Sequence, residues 1–270
     1  MMQIQTQHVG EHLRQWRQRR RLSQLDLANE AEISARHLSF METGRAAPSR
    51  EMLLRLTEQL DVPLRERNVM LVAAGFAPAF AQRGLDDPAL ASARLAIETI
   101  MKAHEPYPAM VVDRHWNLVF ANRMIAPLME GVAPSLRQKQ GGVSANVLRI
   151  ALHPDGLALR TVNLIEWRAH LLERLHRQCE ATADAELIAL HDELKRYPMP
   201  ARSGPPLKVS DSVVVPFQLR LGSDVLSFIS TTMVFGTPVD ITLSELALET
   251  FFPADGRTAE KLQEMFRSLT

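Results

Sequence analysis

The stretch from Ser23 to Arg50, SQLDLANEAEISARHLSFMETGRAAPSR, constrains the fold more than any other part of this 270-residue chain. Ser23 is placed to cap a helix over residues 24–31, with Leu27, Ala28 and Ala31 on one face and Asp26 in the first turn, where the helix dipole favours an acid. Ser34 caps a second helix over residues 35–43, and Gly44 closes it as a residue free to turn left-handed. Only Glu32 and Ile33 remain between the two, too few to let the helices part. They must cross steeply and share a small core through Leu27, Ala31, Ile33, Leu38 and Met41. Ala35, Arg36, His37, Ser39 and Phe40 are then left facing outward.

A short helix that presents Arg and Ser beside its N-terminus suits the DNA major groove. The flanking sequence completes a five-helix bundle over residues 1–75. Val9, Leu13 and Trp16 recur at helical spacing over residues 9–20, Ser49 caps a helix burying Met52, Leu53, Leu56 and Leu60, and a last helix over residues 64–74 ends at Gly75. This segment resembles the Xre/Cro-type helix-turn-helix family over about residues 9–62. The resemblance implies that Gln24, at the start of the second helix, hydrogen-bonds a phosphate. It also implies that Ser34, Ala35, Arg36 and His37 lead the recognition helix. Phe40 departs from the family, which often carries a base-reading polar residue there; the ring can touch a thymine methyl group or pack against the next domain. Arg36 is the expected guanine reader, because a guanidinium pairs with O6 and N7 together. Arg45 and Arg50 are expected on phosphates of a double-stranded operator.

Charge adds placement rather than excess. Residues 8–50 hold eight arginines against five acids, while the whole chain balances 31 basic and 31 acidic side chains. Arg14, Arg17, Arg19, Arg20 and Arg21 cluster at the end of the first helix, where they can meet the DNA backbone. A hydrophobic content of 46% at this length is ample for two cores. One cysteine, Cys179, allows no internal disulfide. With no apolar signal region and no run long enough for a bilayer, a cytoplasmic protein that avoids membranes is expected.

Residues 76–88, FAPAFAQRGLDDP, lose periodicity and gather prolines, which reads as a linker to a second domain over residues 89–270. There a helix over residues 89–104 precedes strands at Met110–Val112 and Leu118–Ala121, and Asn122 is placed to cap a helix through Met129. Leu164, Trp167, Leu171, Leu172 and Leu175 mark one face of a long amphipathic helix, and Leu187, Leu190 and Leu194 mark another. Strands are expected at Val213–Leu221 and Val225–Val234 around a hairpin loop. In ITLSELALETFFP, Thr242 and Glu245 form a capping box while Leu246, Leu248, Thr250 and Phe252 alternate as in a strand; strand is the expectation, followed by a helix from Thr258 to Leu269. The fold class is therefore mainly α with an α+β second domain, an antiparallel PAS-like sheet with helices.

The phrases VVDRHWNLVFAN, ALHPDGL, NLIEWRAHLLERL and FGTPVDITLSELALETFFPAD resemble the MmyB-like ligand-binding domain found behind Xre-type modules in bacterial regulators. That resemblance implies a largely apolar pocket and a hydrophobic ligand such as a fatty acid. Candidate polar anchors are His153 and His170, with Trp167, Met233 and Phe235 as wall. His153 can instead serve as a turn or cap residue, and His170 can pair with Glu166 one turn earlier. His170, His176 and Cys179 lack the spacing of a tetrahedral metal site, and no nucleophile elbow, phosphate loop or dinucleotide fingerprint is present. The expectation is a transcriptional repressor, not an enzyme, needing no cofactor, that binds a pseudo-palindromic operator as a homodimer under ligand control. The alternative is a DNA-anchored adaptor whose second domain dimerises or recruits a partner without a ligand.

Overall fold

The computed structural model describes residues 8–137, 144–199, 215–236, 238 and 240–269. The chain divides into two compact units: Met1–Gly84 with Glu180–Thr182 and Thr237–Ser244, and the remainder.

Over residues 8–75 of the first unit the described helices are α1 (Val9–Arg19), α2 (Gln24–Glu30), α3 (Ala35–Glu42), α4 (Arg50–Gln59) and α5 (Leu64–Ala73). Their starts follow local chemistry. Ser23 and Asp26 close a reciprocal capping box on α2, Ser34 Oγ accepts from His37 N at 3.1 Å, and Ser49 Oγ accepts from Met52 N at 3.2 Å. Leu13, Leu27, Ala31, Leu38, Met41, Leu53, Leu56 and Leu60 are fully buried, and Ile33 packs on this core partly exposed. Each such Leu contributes on the order of 1.5–3 kcal/mol. Gly10 is needed where α1 crosses α3, because a β-carbon there would collide with the carbonyl oxygens of Met41 and Glu42.

Residues 76–84, read from sequence as linker, fold with the first unit. Asn68 holds them: its Oδ1 accepts from Ala79 N at 2.9 Å and Phe80 N at 3.1 Å, and its Nδ2 donates to Phe80 O at 2.7 Å. A side chain from α5 thus satisfies backbone groups that lack helix partners. The same unit contains α12 (Ile241–Ser244), begun by Asp240, whose Oδ1 accepts from Thr242 N at 2.9 Å and whose Oδ2 pairs with Arg83 Nη1 at 3.1 Å.

The second unit is built on an antiparallel sheet of five described strands in the order β2-β1-β5-β4-β3, the PAS-like arrangement. Their ranges are β1 (Ala109–Val112), β2 (Leu118–Ala121), β3 (Phe217–Leu221), β4 (Asp224–Val234) and β5 (Ala247–Pro253). Gly222 at φ +59° and Ser223 close the β3–β4 hairpin. Val213 and Val214 lie outside the described residues. Among the described residues of this unit six α-helices come before β3: α6 (Ala91–Ala103), α7 (Ile125–Leu128), α8 (Pro134–Arg137), α9 (Val147–Leu152), α10 (Leu164–Thr182) and α11 (Ala185–Arg196), with α13 (Gly256–Ser268) closing the described chain. The ambiguous ITLSELALETFFP resolves into both forms in succession, α12 and then β5.

Asn122 does not cap α7. Its Oδ1 accepts from Ala109 N at 3.1 Å and its Nδ2 donates to Tyr107 O at 2.8 Å, so the buried amide ties β2 to the start of β1 and α7 begins without a side-chain cap. A buried amide must satisfy its own donors and acceptor first.

Candidate nucleic-acid interface and ligand cavity

Of the residues expected at DNA, Arg36, His37, Arg45 and Arg50 are exposed, as is Ser34, while Ala35, Phe40 and Gln24 are half-buried. Arg36 and Arg45 flank the Phe40 ring, their guanidinium carbons 5.3 and 5.9 Å from its centroid. Phe40 therefore stays out of the buried core. Gln24 Nε2 donates to Glu42 Oε2 at 2.7 Å. Glu42 in turn receives a two-pronged bond from Arg17, Nε–Oε1 2.7 Å and Nη2–Oε2 2.9 Å, and both partners are buried. The hydrogen bond to Glu42 holds the Arg17 guanidinium above its ordinary pKa.

Two of the clustered arginines at the end of α1 are thereby occupied. Arg17 serves the core, and Arg20 donates to Leu60 O and Asp61 O, each at 2.8 Å, capping the end of α4. Arg14, Arg19 and Arg21 remain exposed. Spacing along one helix gave all five equal standing; only the crossing of other chain segments separates them.

The second unit holds a partly open cavity of about 70 Å³ between the sheet and the helices. Its wall is apolar, including Met110, Met129, Trp167, Phe217, Phe228 and Phe251, with Ser230, Arg174 and Glu249 as its polar groups. Trp167 stacks on Phe217 with centroids 5.0 Å apart, and Phe217 stacks on Phe228 at 6.0 Å. Arg174, from α10, pairs with Glu249 of β5 through Nη2–Oε1 at 2.6 Å and Nη1–Oε2 at 3.0 Å, and Nη2 also donates to Thr232 Oγ1 at 2.8 Å. Its guanidinium lies 4.5 Å from the Trp116 ring centroid. Glu249 is 3% exposed, so this pair brings charge to the edge of an otherwise apolar space.

Of the five residues expected at the ligand, the structure places Trp167 on the cavity wall. His170 stacks on the Trp167 ring at 5.2 Å outside that lining, and burial, reinforced by Arg174 and Arg177, lowers its pKa. Glu166 does not pair with it: among the described residues the buried Glu166 Oε2 has no hydrogen-bond partner. His153 is the C-cap residue of α9; its Nδ1 accepts from Asp155 N at 3.0 Å, and it borders a separate polar groove with Arg149, Glu193 and Tyr197. Met233 is 41% exposed on β4, and Phe235 follows that strand without lining the cavity. Arg174, Glu249 and Ser230 escaped sequence reasoning. An arginine on an amphipathic helix and a glutamate in a strand carry no local signal of meeting 75 residues apart.

Among the described residues no group of three His, Cys, Asp or Glu side chains has metal-holding geometry, and no helix is long and apolar enough to cross a membrane. The family model for the MmyB-like transcription regulator ligand binding domain matches residues 93–265. The chain belongs to this family. A helix-turn-helix domain model matches residues 8–70. No curated protein matches the chain. As an MmyB-like regulator it couples a DNA-binding helix-turn-helix to a ligand-binding domain, and neither family is enzymatic.

Proposed function

We propose that this MmyB-like regulator is a repressor that binds a pseudo-palindromic operator as a homodimer, and that a small hydrophobic molecule entering the apolar cavity changes its operator affinity. The observation that carries the proposal is the pairing, on one chain, of an exposed Arg36 at the head of α3 with a cavity walled by Trp167, Phe217 and Phe228. One helix-turn-helix contacts too few base pairs for specificity; two copies about 34 Å apart span successive major grooves on one side of the duplex.

The cavity's 70 Å³ is well short of the roughly 300 Å³ at which ligand pockets begin, so a fatty-acid-sized guest must displace wall side chains. Met110 and Met129 are suited to this, since unbranched thioethers repack at little cost. A guest that requires such repacking favours one conformation over another, which is what ligand control needs.

The adaptor reading has one observation in its favour. Ile229 and Phe252 face each other across β4 and β5, 38% and 41% exposed, an apolar pair open to a protein contact.

Selection of bound duplexes from a random pool by the full-length protein tests the operator claim, and melting shifts with a panel of fatty acids test the ligand claim. Arg36→Ala is expected to cost about 1–3 kcal/mol on the selected site and relax its base preference, whereas Arg45→Ala weakens all sequences alike and flattens the salt slope by about one unit. Equal loss on every sequence from Arg36→Ala removes it as the base reader. Specific binding with no melting shift from any acid favours the adaptor.

A further inference from the structure

We infer that Phe40 is a specificity-determining residue that reads the 5-methyl group of a thymine lying within two base pairs of the guanine read by Arg36. The inference rests on the DNA-reading assignment above and names the second half of what that face recognises.

Phe40 belongs by sequence to a helix whose Leu38 and Met41 are fully buried, yet its own side chain is only half-buried. An aromatic ring left partly in water costs free energy that a polar residue at the same exposed position would not. The local backbone explains why the ring is not alone there. Gly44 adopts φ +74°, and the chain folds back so that Arg45 N donates to Phe40 O at 2.8 Å and Ala46 N donates to the same oxygen at 3.1 Å. That reversal brings the Arg45 guanidinium to 5.9 Å from the ring, while Arg36, one helical turn earlier, approaches to 5.3 Å. Both distances fall within the reach of a cation–π contact, so the ring helps fix the direction of both guanidinium groups.

The chemistry of the groove supplies the occupant. In the major groove thymine alone among the four DNA bases carries a methyl group, and an apolar side chain is its usual partner. Residues four apart on a helix are separated by about 6 Å along its axis, against about 3.4 Å between successive base pairs. With Arg36 on a guanine, the ring beside it therefore meets the neighbouring base pair or the one after. The recognised element is a guanine and a thymine methyl read together by one stacked Arg–Phe unit.

The experiment uses full-length protein on its selected operator, with each thymine replaced in turn by deoxyuridine, which removes only the methyl group and keeps the base pairing. One thymine per half-site, within two base pairs of the guanine whose preference Arg36→Ala relaxes, is expected to show about fourfold weaker binding on replacement. That sensitivity disappears in Phe40→Ala and persists in Phe40→Tyr, which keeps the ring. If no thymine near that guanine is methyl-sensitive, or if the sensitivity survives Phe40→Ala, the inference is overturned while operator recognition stands. A wild-type protein with no base preference at all overturns both. Should Phe40→Ala fail to fold, the deoxyuridine scan of the wild type and Phe40→Tyr decides, since absence of a methyl-sensitive thymine suffices to reject the assignment.

Discussion

Replacing Glu42 by alanine is expected to remove a large share of the stability of the helix-turn-helix bundle. The Glu42 carboxylate is 2% exposed and the Arg17 side chain 11%, so neither charge is well hydrated in the folded state. Without Glu42 the guanidinium keeps, among the described residues, the bond from Nη1 to Leu22 O at 2.9 Å, and Gln24 loses its bond to Glu42. Breaking a buried pair from one side costs about 3–5 kcal/mol, because the remaining charge stays desolvated. A small domain has only about 5–15 kcal/mol in total. Urea unfolding of the full chain, with hydrogen exchange of peptides from α1 to α5 to assign the transition, measures the loss. The double variant Arg17→Met with Glu42→Leu should be much closer to wild type than Glu42→Ala, since it leaves no buried charge. A loss below about 1 kcal/mol for Glu42→Ala, the range of exposed pairs, refutes this reasoning.

Gly10→Ala should destabilise the same bundle by about 1–3 kcal/mol, read in the same unfolding experiment, because backbone oxygens of Met41 and Glu42 occupy the space of the added carbon. Acid should weaken the fold from a different direction. His104 and His170 are both held below their ordinary pKa, chiefly by burial. The unfolded chain therefore takes up protons first, and stability falls as pH drops below about 6.5, levelling once the folded values are passed. Urea midpoints at pH 7.5 and 5.5 check this, and His170→Gln should reduce the difference between them.

The limits of sequence reading follow the distance over which each determinant acts. Capping is settled within three residues, so Ser23, Ser34 and Ser49 announced the starts of α2, α3 and α4. The long apolar stripe of α10 was equally legible, and Trp167 on it lines the cavity. Asn122 shows where local reasoning fails. It has the composition of a cap, yet partners at Tyr107 and Ala109 compete for its amide and win because the site is buried.

By itself the sequence determined the helical bundle, the outward face of α3 and the presence of an apolar second core, since periodicity and capping are properties of neighbouring residues. Tertiary structure decided which charges are spent inside and which remain for a partner. Arg17 and Arg20 are consumed by Glu42 and by the carbonyls that end α4, while Arg36 and Arg45 stay exposed around Phe40. It also brought Arg174 to Glu249 beside the cavity. Such pairings form only when strand register and helix crossing place distant side chains within about 3 Å, the range at which hydrogen bonds act.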